Sequence, residues 1–82
     1  MAGKKQTIAL LEELANKLNV RVRYEKTTAR GGLCQHEGSF QIIIDKKASD
    51  DYKISLLATS LKTFDLSDIY VSDGLREVLN NT

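Results

Sequence analysis

The spacing of apolar residues changes abruptly at Asn19. Before it, Ile8, Leu11, Leu14, Ala15 and Leu18 recur at three- and four-residue intervals, with Leu10 widening the stripe. Glu12, Glu13, Asn16 and Lys17 fall on the other side, so Thr7 to Leu18 predicts an amphipathic helix. After it, Val20, Val22 and Tyr24 alternate with Arg21, Arg23 and Glu25, the pattern of a strand with one dry and one wet face. A helix is therefore followed at once by a strand. Asn19 suits the junction because asparagine tolerates the left-handed conformation that ends helices.

Further along, Thr27 to Gly32 is polar and closes on Gly31-Gly32, a turn. Leu33 to His36 and Phe40 to Asp45 are two more strand-like runs, and the short Glu37-Gly38-Ser39 loop between them predicts a hairpin. In the second arm Phe40, Ile42 and Ile44 share one face, while Gln41, Ile43 and Asp45 share the other. Ile43 is thus an apolar residue on the face expected to be wet. Lys46 to Asp51 is a charged connection in which Ser49 is an N-cap candidate and Asp50-Asp51 favours a helix start. Ile54, Leu57, Ala58, Leu61 and Phe64 mark a second amphipathic helix, with Tyr52 and Leu56 at its margin. Ser67 to Val71 reads as a short extended linker, and Ser72 caps a last helix through Leu75, Val78 and Leu79. The chain has no proline, no internal repeat and no low-complexity stretch to divide it. The predicted fold is one α+β domain spanning 1–82 in the order α-β-β-β-α-α. Its small three-stranded sheet is mainly antiparallel, its helices lie on one face, and residues 1–6 and 80–82 fray.

The 82 residues include one cysteine and one histidine, at Cys34 and His36. That scarcity excludes an internal disulfide, a Cys₂His₂ site and any two-histidine zinc site. A lone cysteine fits a reducing compartment, although it would permit a bridged dimer. The N-terminal Met1-Ala2-Gly3-Lys4-Lys5-Gln6 shows neither a signal peptide nor a myristoylation signal, and the longest apolar run, Ile8 to Leu11, is far too short for a membrane span. A cytoplasmic protein without membrane attachment is expected. Net charge is +1, carried as +4 on residues 1–30 and −3 on residues 31–82. The total gives no global electrostatic case for nucleic-acid or membrane binding.

The run Leu14-Ala15-Asn16-Lys17-Leu18-Asn19-Val20-Arg21-Val22-Arg23-Tyr24 resembles the opening helix and strand of small zinc metallopeptidases of the ImmA/IrrE type. Gly31-Gly32-Leu33 followed by Ile42-Ile43-Ile44-Asp45 is similar to their hairpin, and Leu56 to Thr63 falls where that family carries its H-E-x-x-H helix. The resemblance covers residues 8–65 and departs where it matters most. Thr59, Ser60 and Thr63 stand where the first histidine, the glutamate and the second histidine would be, and no histidine follows. It therefore implies a metal-free, catalytically silent scaffold, with none of the family's functional residues carried over. The strings are equally compatible with a small bacterial protein family of this length, from which no activity would follow.

Three groups of residues remain as candidate sites. Cys34 and His36 emerge on the same face of one strand, about 7 Å apart, beyond direct thiol–imidazole contact unless both side chains lean inward. Glu37 would point to the other face, so a thiol enzyme lacks its orienting group. Arg21, Arg23 and Arg30, with Lys26 nearby, are a candidate anion or nucleic-acid strip. No exposed aromatic interleaves with them, and a charged strip also protects an edge strand from aggregation. Gly31-Gly32 lacks the context of a nucleotide-binding loop, and Asp45, Asp50 and Asp51 match no calcium loop. The third group is Gln41, Ile43 and Asp45, where apolar surface beside an unpaired strand edge would pair with another chain. The expectation is accordingly a non-catalytic interaction module with no cofactor. It would use a sheet edge for homodimerisation or for capture of an unknown protein or peptide, with nucleic acid disfavoured as a partner.

Overall fold

The computed structural model describes residues 3–26 and 32–81, apart from the side chain of His36. Helix α1 spans Lys4–Lys17, strands β1, β2 and β3 span Val20–Glu25, Gly32–His36 and Ser39–Asp45, and helices α2 and α3 span Asp50–Leu61 and Asp73–Asn80. This is the α+β fold in the expected order, with α1 and α2 packed on the sheet and α3 on those two helices.

Local chemistry accounts for most of the boundaries. Ser49 Oγ accepts the Tyr52 N–H at 3.2 Å, and Ser72 Oγ accepts the Leu75 N–H at 3.3 Å, so both serines cap their helices. Asp50 and Asp51 in the first turn of α2, and Asp73 in that of α3, complement the helix dipoles. Asn19 adopts φ 61° and ends α1, its N–H reaching the Asn16 carbonyl at 3.1 Å. Helix α1 begins at Lys4 rather than Thr7, inside the segment expected to fray. There Lys4 Nζ lies 3.0 Å from Asp51 Oδ1 and links the starts of α1 and α2. Helix α2 stops at Leu61, short of Phe64, because the chain tightens through Thr63 N–H to Ser60 O and Phe64 N–H to Leu61 O bonds.

The sheet order is β1-β3-β2, with β1 parallel and β2 antiparallel to β3. The sheet is therefore mixed, where a mainly antiparallel one was expected. The hairpin makes β3 antiparallel to β2, and β1 runs opposite to β2, so β1 and β3 are parallel. The central position of β3 suits Ile42 and Ile44, which are fully buried. The charged β1 and the five-residue β2 take the edges. Residues Glu37 and Gly38 alone form the hairpin turn, with φ 51° and 80°, while the expected loop residue Ser39 pairs with His36. Two positive φ values in a two-residue loop define a type I′ turn, whose twist matches the strands it joins.

Ile8, Leu11, Leu14 and Ala15 of α1 form the core with Leu57, Ala58 and Leu61 of α2 and with Val20, Ile42 and Ile44 of the sheet. Leu75 and Leu79 close it from α3, which touches α1 and α2 but not the sheet. The segment read as an extended linker is a turn: Asp65 Oδ1 accepts the Ser67 N–H at 3.0 Å, and Ile69 N–H reaches Leu66 O at 3.1 Å. Val71 then enters the core. Among the described residues, no helix covers the sheet face opposite Ile42 and Ile44. Ile42→Ala should cost about 3–4 kcal/mol in urea unfolding, as a large-to-small change in a packed core. Asn19→Ala should cost about 1 kcal/mol, and Asn19→Gly almost nothing, because only the former strains the left-handed position.

Candidate interaction site

Strand β3 uses its backbone groups on both sides, towards β1 and β2. The expectation that Ile43 lies beside an unpaired edge is corrected on that ground. Gln41, Ile43 and Asp45 can offer only side chains, on the open face, where the half-buried Ile43 sits in register between Arg23 and Gly32. The true edges are β1 and β2, and they differ in chemistry. β1 carries Arg21, Arg23 and Glu25, charges of the kind that discourage pairing with another chain. β2 reads Gly-Leu-Cys-Gln-His, without lysine, arginine, acid or proline.

The hairpin turn sets which backbone groups β2 leaves free. In a two-residue I′ turn the flanking residues exchange both backbone hydrogen bonds, here His36 with Ser39. Alternation along an antiparallel ladder then directs the N–H and C=O groups of Cys34 and Gly32 to Gln41 and Ile43. The groups of Leu33 and Gln35 point the other way, to the edge that no strand among the described residues covers. The sequence does not single out these two residues, because a three-residue Glu37-Gly38-Ser39 loop would leave the phase of the ladder undefined.

Among the described residues, the arginines of β1 are interrupted by acidic and neutral neighbours. Arg23 lies 2.5 Å from Glu25, and Arg21 shares a shallow cleft of about 330 Å³ with Gln41 and Glu37. Arg30 lies outside the described residues. Cys34 is exposed on β2, two residues from His36, whose side chain is likewise outside them. On α2, Thr59 is exposed and Ser60 buried, while Thr63 lies past the helix end with Oγ1 donating to the Ser60 carbonyl at 2.7 Å. No group of three or more His, Cys, Asp or Glu that could hold a metal occurs among the described residues. No helix among them is long and apolar enough to cross a membrane.

One polar contact was not legible from periodicity. Glu12 was assigned to the wet side of α1 and Tyr24 to the dry side of β1, yet the Tyr24 hydroxyl donates to Glu12 Oε2. Lys53 Nζ sits 5.4 Å from the centre of the Tyr24 ring. Desolvation, then the hydrogen bond to Glu12 and its negative charge, push the Tyr24 pKa above its ordinary value. The folded state thus holds a proton that the unfolded state has already lost above pH about 10, so stability from this pair is complete below that pH and falls as pH rises. Tyr24→Phe should cost about 1 kcal/mol at pH 7, less than is usual for a hydrogen bond to a charged group because both residues are partly exposed. The variant should also flatten the alkaline decline in stability, measured by urea unfolding between pH 7 and 11.

No family model matches the chain, and neither the curated proteins nor the solved structures include one similar to it.

Proposed function

We propose that this domain is a non-catalytic interaction module that pairs with a second copy of itself along the free edge of β2. The observation that carries this reading is the phase of that edge. Leu33 and Gln35 are symmetric about Cys34, so two antiparallel copies of β2 meet with Leu33 opposite Gln35 of the second copy and Gln35 opposite its Leu33. Both are hydrogen-bonded pairs, giving four new ladder bonds and a continuous six-stranded sheet. No charged side chain of β2 opposes another across the dyad. Peptide capture on the same edge would use the same groups, but the palindromic fit favours a second copy. The occupation of the metallopeptidase-like positions by Thr59, Ser60 and Thr63 supports a non-catalytic role. The lone cysteine supports a reducing, cytoplasmic setting in which the dimer is non-covalent.

So short an interface belongs at the weak end of specific association. Light scattering up to about 1 mM protein, a range suited to weak complexes, should show a mass rising from monomer towards dimer. Gln35→Pro, which removes an outward N–H at an edge position that tolerates proline, should remain monomeric with an unchanged circular dichroism spectrum. Gln35→Ala and Cys34→Ser, which keep every backbone donor, should dimerise as wild type does. A monomer at every concentration, or equal masses for wild type and Gln35→Pro, would overturn the reading.

A further inference from the structure

A second feature, remote from β2, lies between the end of α2, the connection that follows it and α3. A cleft of about 590 Å³ opens there, within the size range of small-molecule sites. Its apolar surface comes from Leu66, Ile69, Val71 and Leu79. Local structure creates it. The connection turns at Asp65–Ile69 before Val71 enters the core, α3 packs on the helices alone, and the turn lines the cleft together with Arg76 and Leu79 of α3. Arg76 and Leu79 are one turn apart on the same side of that helix.

Among the described residues that line the cleft, Arg76 and Lys62 are the charged ones and none is a carboxylate. Asp65, three residues after Lys62, accepts the Ser67 N–H on a carboxylate oxygen, an interaction that also lowers its pKa. Arg76 takes no part in the ion pairs formed among the described residues. A guanidinium presents a planar fork of donors that matches a carboxylate, and its charge is insensitive to pH across the physiological range. Ser67 and Asn80 add neutral hydrogen-bonding capacity at the margin.

We propose that this cleft binds a monocarboxylate carrying a short alkyl chain, the carboxylate on Arg76 and the chain on Leu66, Ile69, Val71 and Leu79. Both halves of the ligand are required by the lining: an inorganic anion would leave the apolar surface wet, and a neutral hydrocarbon would leave the guanidinium unmatched. The site is independent of dimer formation, because none of its residues belongs to β2.

Sodium octanoate titrated into ¹⁵N-labelled protein provides the test. Saturable shifts should be confined to the 62–71 connection and to α3 from Arg76 to Asn80, with β2 unmoved. Octanamide, of the same shape without the charge, should bind at least about tenfold more weakly, the scale of one charge-assisted contact, and acetate, the head group alone, should lose at least as much for want of buried methylenes. Arg76→Gln should weaken octanoate to a similar degree, and Arg76→Lys less, with resonances outside the cleft confirming the fold of each variant. The absence of saturable shifts up to about 5 mM octanoate, a weak-binding limit, would overturn the proposal. So would octanamide binding as tightly as octanoate, or octanoate affinity unchanged in Arg76→Gln.

Discussion

Everything in this fold depends on the complete burial of Ile42 and Ile44. Each such side chain contributes about 1.5–3 kcal/mol when removed from water, and in a domain this small two of them are a substantial share of the driving force. Their strand lies between the two others, and they pack in one cluster with residues of α1 and α2. That placement puts β1 and β2 at the edges, with β1 parallel and β2 antiparallel to β3. It also leaves the face bearing Ile43 without a helix. The character of the edges follows in turn: the one beside α1 is charged, and the other is short and neutral.

The division of charge between the two halves of the chain is partly resolved by folding. Lys4 reaches Asp51 from one half to the other, and Glu25 answers Arg23 within β1. These contacts are exposed and contribute little to stability, but they break up the positive strip that the arginines of β1 would otherwise form. The Tyr24–Glu12 contact is of another kind. It is a partly buried polar link between α1 and β1, and it fixes the helix on the edge of the sheet.

Features set by neighbours in sequence were legible before the structure. The caps at Ser49 and Ser72, the left-handed Asn19 and the element order all follow from short-range chemistry. So does the alternation that puts Ile42 and Ile44 on one face and Ile43 on the other. Strand order is a different matter, because periodicity describes the faces of a strand and says nothing of its flanks. Ile43 therefore suggested an edge that the structure assigns elsewhere. The free groups of Leu33 and Gln35 could be worked out only once the turn was known to hold two residues rather than three. The Tyr24–Glu12 bond defeats a dry-or-wet reading, since it joins a residue from each class. The cleft at Arg76 has no motif at all: its lining is assembled by a turn that sequence suggested was extended.

Amide hydrogen exchange on β2, followed residue by residue at low and high protein concentration, tests the central claim most directly. The account predicts that the Cys34 amide, committed to β3, is protected at both concentrations, while the Leu33 and Gln35 amides exchange rapidly in dilute protein and slow as concentration rises. Leu33 and Gln35 amides that exchange equally fast at every concentration, or a Cys34 amide as labile as its neighbours, would contradict it.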